Sequence, residues 1–417
     1  MNIKHSKLSN GFTIVEMMVV VAAIAILASL SVAGFYSWRQ GLTQRQVQSD
    51  LQQAAAAMED AKNFGSGYPT SIPSTFKGSN EVSVTFYSSN GTSYCIDGVS
   101  TKFPSVHYFI DSTQGKDPIL GTCAGGEEVP GGANAQAWTA RAAAEANAWQ
   151  SIAYGNGLFV AVSNSGTNRV MTSSDGATWT GRTLSGGLAT NAWQSVAYGN
   201  GLFVAVAQSG TNRVMTSPDG INWTARNAPE ANTWWNVLYA GGQFVSVARS
   251  GVYRVMTSPD GITWTARTAA EANEWYSVTY GNGTYVAISK DGTNRIMTSP
   301  DGITWTARSV SANTWRSVAY GNGLFIAVGI NSVMTSPDGI TWTARSAPSG
   351  QWYCVTYGNG ILVATDSTFG NVMTSPDGVS WTSQTPAEAN GWTSVKYGAG
   401  RFVAVAVSGT NRVMTSP

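Results

Sequence analysis

Histidine, cysteine and charge are all scarce in this chain. Two His and three Cys among 417 residues leave little material for a metal site, so neither a metal nor a cofactor is expected. Charged residues make up 11%, less than half of the roughly one quarter usual in soluble domains. The formal net charge of +1 gives no general pull toward nucleic acid or anionic lipid, and no specific nucleic-acid binding is expected. A zinc enzyme and a DNA binder are thereby disfavoured. What is plentiful instead is Gly (46) and Trp (16), the composition of all-β structure joined by short turns.

One long uncharged run stands near the start. Residues 17–35, "MMVVVAAIAILASLSVAGF", are 19 residues long, enough to span a bilayer as a helix. The pattern then turns amphipathic without a Pro break, with Leu42, Val47, Leu51, Ala54 and Met58 at roughly helical spacing, until Gly65 and Gly67 supply a stop. Read as one helix, residues 12–64 would reach about 80 Å at 1.5 Å per residue. A carboxylate, Glu16, sits immediately before the apolar run, where lipid makes charge expensive.

An ordinary secretory signal places its small-residue cleavage site after the apolar region. Here Gly11 precedes it, within "GFTIVE" and behind the basic Lys4 and Lys7. This arrangement resembles type IV prepilins and their pseudopilin relatives. The resemblance implies a leader over 1–11, cleavage between Gly11 and Phe12 by a prepilin peptidase, and N-methylation of Phe12. It also implies a stay in the inner or cytoplasmic membrane, followed by assembly with other pilins into an extracellular pilus. In such a filament the Glu16 carboxylate can meet the terminal amine of Phe12 on a neighbouring subunit, a buried pair that enforces register. Loss of the leader removes two Lys and takes the formal charge from +1 to −1.

Residues 65–123 read as a small β-rich head. "EVSVTFYSSNGTSYCIDGV" alternates around Asn90-Gly91, a tight hairpin signal, and "SVHYFID" is a further strand. Cys95 and Cys123 are 28 apart; they are either two thiols or, in an oxidising compartment, a bridge stabilising the head by a few kcal/mol. Pilin heads often carry such a bridge near their C-terminal end, so the resemblance favours it. The Gly-rich stretch 124–136 reads as a linker. The expected fold is thus an α+β pilin stem, a long helix plus a small sheet, followed by a separate all-β domain over 137–417.

That domain is a repeat. Its unit approximates "W-x-S-V-x-Y-G-N-G-x-F-V-A-V…R-V-M-T-S-P-D-G-I-T-W-T-A-R", opening at Trp149, Trp193, Trp235, Trp275, Trp315, Trp352 and Trp392. Seven copies spaced 37–44 residues apart, each with four strands divided by Asn-Gly and Asp-Gly turns, predict a seven-bladed β-propeller. The last copy stops at "RVMTSP", and an orphan "AWTAR" stands at 137–141. Pairing the orphan with the last copy closes the ring and removes its open edges.

The turn "SPDGITW" resembles the Asp-box of sialidases and related repeat proteins, although it lacks one residue between Asp and Gly. The resemblance implies that Asp219, Asp260, Asp301, Asp338 and Asp377, with Asp175 in the first copy, fix turns rather than act on a substrate. The connections from strand four to one and from strand two to three share the opposite face and vary between copies, which marks that face for binding. Two groups there are candidate ligand contacts: Asn147, Asn191, Asn232, Asn273, Asn313 and Asn390, and Arg169, Arg213, Arg254, Arg295 and Arg412. Amide and guanidinium donors beside indole rings suit sugars; the alternative is that Asn caps a turn and Trp packs between blades. Cys354 replaces Ser at a strand position and reads as a buried thiol.

No pair of carboxylates is singled out for glycoside hydrolysis, so a binding role is expected in place of an enzyme. The expectation is a minor, tip-located type IV pilin whose propeller binds a surface glycan or protein. A sialidase-like enzyme and a structural pseudopilin for pilus priming or type II secretion are the alternatives.

Overall fold

The computed structural model describes residues 46–62, 67–89, 92–101, 107–112, 118–120, 123 and 137–416. The chain divides into two units, Met1–Val129 and Pro130–Pro417. Gly11, Phe12, Glu16 and the apolar run 17–35 lie outside the described residues, as do Asn90 and Gly91. Among those described, no helix is long and apolar enough to cross a membrane.

In the first unit, residues 46–62 are helical (α1). Val47, Leu51, Ala54 and Met58 are fully buried, the i, i+4, i+7, i+11 stripe that one helical face requires. They pack on an antiparallel sheet of β1 (Val82–Ser89), β2 (Tyr94–Ser100), β3 (His107–Asp111) and β4 (Ile119–Leu120), chiefly through Tyr94, Ile96 and Ile110. A Cβ on Gly98 of β2 would lie 2.8 Å from Leu51 Cγ, so the missing side chain is what lets the helix sit this close to the sheet. Buried Asp50 closes one end of that contact, accepting from Ser79 N (2.8 Å) and Ser79 Oγ (2.7 Å). A disulfide joins Cys95 to Cys123.

The second unit contains seven four-stranded antiparallel sheets. Its first described strand, β5 (Thr139–Arg141), stands apart from the copy that follows it. The first blade is β6 (Trp149–Gly155), β7 (Leu158–Ser163), β8 (Val170–Ser173) and β9 (Thr180–Arg182), paired in sequence order, and five further blades repeat this plan. The seventh has only three consecutive strands, ending with Val413–Ser416, and β5 completes it: Val413 pairs with Arg141, Met414 with Ala140 and Thr415 with Thr139. First strands of successive blades lie side by side around the axis, Trp392–Gly398 against β6 included, so the ring is closed.

Local chemistry explains the blade. The Asn156-Gly157 turn has φ of 49° and 73°, the doubly left-handed geometry that a two-residue hairpin demands. Val160, Ala161, Val162, Val170 and Met171 are fully buried on both sheet faces because each blade is covered by two neighbours. Each blade also buries one Trp completely or nearly so, and its indole N–H donates to a loop carbonyl, as Trp149 does to Glu145 O at 3.1 Å and Trp275 to Glu271 O at 3.0 Å. In the third blade this residue is Trp234, which donates to Glu230 O, and not Trp235. The sequence "TWWN" allows either register, and burial selects the first Trp.

A second repeated device ties each inner strand to the next blade. Val196 N donates to Ser151 Oγ, Val237 N to Ser195 Oγ, Val278 N to Asn236 Oδ1, Val318 N to Ser277 Oγ, Val355 N to Ser317 Oγ and Ile152 N to Ser394 Oγ. Cys354 Sγ occupies the seventh such position, facing Val395 N, and burial pushes its thiol pKa up.

The Asp of each "S-x-D-G" turn accepts local backbone N–H groups. Asp175 Oδ1 takes Ala177 N (2.8 Å) and Thr178 N (2.9 Å), and Asp260, Asp301, Asp338 and Asp377 repeat the pattern. The Thr178 N–H leads in holding Asp175 down to about 2, below its ordinary 3.8, with burial opposing. Asp260, Asp301 and Asp338 are lowered with the corresponding Thr N–H as the leading cause. Burial is the largest influence on Asp219 and Asp377 and raises them, but their hydrogen bonds together outweigh it. A carboxyl depressed by folding stabilises above its unfolded pKa, and that contribution fades as pH falls through the folded value. The thermal midpoint of the propeller should therefore drop steeply from about pH 4 toward pH 2. Asp338→Asn should flatten that slope, as read by circular dichroism melts. An unchanged slope in this variant would refute the turn's electrostatic contribution.

Candidate ligand-binding site

The variable face carries the expected Asn and Arg residues, but the Asn Nδ2 and the Arg Nε and Nη1 donors are already engaged. Five of the six Asn are at least nine-tenths buried, Asn313 being the less buried one. Each Nδ2 donates to a carbonyl in the loop between strands two and three of its own blade: Asn147 to Asn168 O (2.7 Å), Asn232 to Tyr253 O (2.6 Å), Asn273 to Asn294 O (2.7 Å), Asn313 to Ile330 O (3.1 Å), Asn390 to Asn411 O (2.5 Å), and Asn191 to Asn212 O. Glu145, Glu230, Glu271 and Glu388 brace the same clamp. Glu271, for example, accepts from Asn273 Nδ2, Asn294 N and Asn294 Nδ2.

The five Arg are staples. Each Nε donates to the carbonyl of a Gly three residues earlier. In four of them Nη1 also crosses to the next blade: Arg169 to Asn191 O (2.8 Å), Arg213 to Asn232 O (2.6 Å), Arg295 to Asn313 O, and Arg412 to Ala146 O (2.8 Å) across the closing seam. Arg254 instead bonds Arg249 O within its blade. These side chains shape the face and do not converge on a common point.

A different set does converge. In every blade the pairing of strands one and two slips by one residue just after the buried Trp. Such a bulge re-aims one side chain. The seven bulge residues are Gln150, Gln194, Trp235, Tyr276, Arg316, Tyr353 and Thr393, all at the end of the inner strands nearest the variable face, where they surround the channel mouth. They divide into two arcs. Gln150, Gln194 and Thr393 form a polar arc: Gln194 Nε2 donates to Gln150 Oε1 (3.2 Å) and Thr393 Oγ1 to Trp149 O (2.7 Å), while Gln194 Oε1 is buried with no hydrogen-bond partner.

The other arc is aromatic and cationic. Trp235 and Tyr276 meet at 5.1 Å between ring centroids. The Arg249 guanidinium lies 4.3 Å from the Trp235 centroid and 4.8 Å from that of Tyr276. Arg316 lies 4.9 Å from Tyr276 and 5.7 Å from Tyr353. Glu274 holds Arg249 in place through Oε2, 2.9 Å from Nε and 2.7 Å from Nη2. Burial pushes Tyr353 up to about 12, with Arg316 pulling it the other way. Deeper in the channel Lys396, on the inner strand of the seventh blade, is exposed to solvent yet surrounded by protein, an enclosure that lowers its ammonium pKa. Among the described residues no cluster of three or more His, Cys, Asp and Glu could hold a metal ion.

The sequence did carry a signal for this arc. Aligned on the buried Trp, the next position reads Gln, Gln, Trp, Tyr, Arg, Tyr, Thr, while its neighbours hardly vary. Taking Trp235 as the framework residue of the third copy hides that signal, because it moves a site aromatic into the core.

Residues 6–32 match the prokaryotic N-terminal methylation motif, which implies processing by a prepilin peptidase, and residues 133–274 match the DUF6242 β-propeller domain. No curated protein matches the chain. Among solved structures, a streptogramin B lyase is similar at 9% identity and a TM-score of 0.60, covering 67% of this chain and 97% of the lyase. Virginiamycin B lyase from Staphylococcus aureus follows at 10% and 0.58, covering 65% and 95%. YCF48 from Cyanidioschyzon merolae follows at 15% and 0.52, covering 67% and 98%. At these identities the likeness concerns the propeller fold alone.

Proposed function

We propose that this chain is a minor type IV pilin that carries its propeller at the pilus tip as a ligand-binding, adhesive domain. A methylation motif and a propeller in one polypeptide support a pilin with a large cargo. The observation that favours binding by that cargo is the broken symmetry of the channel mouth, where one arc of a repeated ring is aromatic and cationic. In this reading Gly11 and Phe12 flank the leader cut, Phe12 is the methylated terminus, and Glu16 sets register by pairing with that terminus in a neighbour. The partners are the peptidase, the inner or cytoplasmic membrane before assembly, other pilins, and a surface glycan or protein.

Tip placement has a steric warrant. The propeller, at 281 residues over 137–417, is several times larger than the 65–123 head, so stacking it at every helical step of a shaft is awkward and a single terminal copy is not. Cells making the chain truncated after residue 136 should keep their pili and lose attachment. Immunogold labelling of the propeller should mark filament ends. Loss of pili in the truncated strain, or label along whole shafts, would overturn the reading.

A further inference from the structure

The propeller holds sixteen Lys and Arg and thirteen Asp and Glu, and nearly all of them have a visible occupation. Six Asp fix the hairpin turns, four Glu brace the Asn clamps, and Asp366 accepts from Gln351, Thr368 and Phe369 N–H groups. Glu274 holds Arg249 and stands 3.8 Å from Lys290, and Asp291 caps Glu274 N. Five Arg staple the loops. Six more, Arg141, Arg182, Arg226, Arg267, Arg308 and Arg345, donate to a Thr hydroxyl on the neighbouring strand. Three cations remain: Arg401, at a hairpin end on the opposite face, and Arg316 and Lys396, both on the channel lining. Among the described residues no carboxylate pairs with either of the last two. Two enclosed cations without counter-charge are the arrangement of an anion site.

The rest of the mouth narrows the ligand. Trp235 and Tyr353 offer ring faces that suit the C–H surface of a sugar. A single-stranded nucleic acid would need successive open stacking platforms along a basic groove. Here Trp235 and Tyr276 are tilted 55° to each other with the Arg249 guanidinium against both rings, and Glu274 stands on the rim. We propose that the channel mouth binds an acidic saccharide, with a uronic-acid-type carboxylate on Arg316 and its ring face against Tyr353 or Trp235. This rests on the adhesive reading above and specifies its ligand.

The test titrates detergent-solubilised full-length protein with trigalacturonic acid and, separately, with its trimethyl ester, following tryptophan fluorescence or heat. The ester removes the three negative charges and adds three methyl groups. The acid should bind at least ten-fold more tightly, with affinity falling as salt rises. Arg316→Gln should cost on the order of ten- to hundred-fold in affinity, the range for a lost hydrogen bond to a charged group, and Arg401→Gln should cost nothing. Melting curves check that Arg316→Gln is folded; the acid-against-ester comparison on the wild type stands without any variant. Equal binding of acid and ester, an unaffected Arg316→Gln, or equally tight binding of an oligo-glutamate or oligo-dT of matched charge would overturn the saccharide assignment. If no saccharide binds while the strain truncated after residue 136 still fails to attach, the ligand class falls and the display role survives.

Discussion

Deleting residues 137–141 should open the propeller and remove most of its stability. Those residues contribute β5 and Trp138, which is buried in the core between the last two blades. Losing a buried Trp alone costs about 3–5 kcal/mol, and the deletion also strips the three-residue pairing with Val413–Ser416. Against a typical total of about 5–15 kcal/mol, that sum unfolds or nearly unfolds the domain. The uncovered Val413–Ser416 edge presents unpaired backbone groups ready to pair with another chain, so aggregation should follow. Light scattering and limited proteolysis read the outcome. Appending "DGITWTAR" after Pro417 of the deleted chain should rescue it, because six blades already join these two strands through that turn. A deletion that melts like the parent would show that closure contributes little.

The third blade offers a second large effect from two adjacent residues of one kind. Trp234→Ala removes a fully buried indole from the core it shares with Val204, Val237 and Met256, and should cost about 3–5 kcal/mol. Trp235→Ala removes a side chain at the channel mouth and should cost about 1 kcal/mol or less, chiefly its contacts with Arg249 and Tyr276. Denaturant melts of the two variants should differ in midpoint accordingly. Reversal of the two costs would put Trp235 back in the framework and dissolve the aromatic arc.

Most of the fold was legible because repetition multiplies weak signals. An Asn-Gly turn alone suggests a hairpin; the same turn in phase with a Trp and an Asp-Gly turn, seven times over, leaves few architectures. The orphan "AWTAR" pointed to the seam because a strand without a copy must pair with a copy without a strand. The site was harder to read for two reasons. The Asn and Arg residues looked available because sequence shows donors and not the carbonyls that absorb them: Asn147 bonds Asn168 O in another loop and Arg412 bonds Ala146 O in another blade. The bulge residues were overlooked because a one-residue slip in pairing leaves no mark in composition; only side-by-side alignment on the correct Trp displays them.

The route of the chain gives the seam a mechanical meaning. If the N-terminal region is anchored and the channel mouth grips a surface, tension reaches the propeller through β5 first, since that strand is where the polypeptide enters it. Three paired residues and one indole form the clasp. Under load the clasp would yield before any blade tears, turning a rigid disc into a ring with a gate. Pulling experiments should accordingly show a small early extension, and tethering β5 to Val413–Ser416 by an engineered crosslink should abolish it.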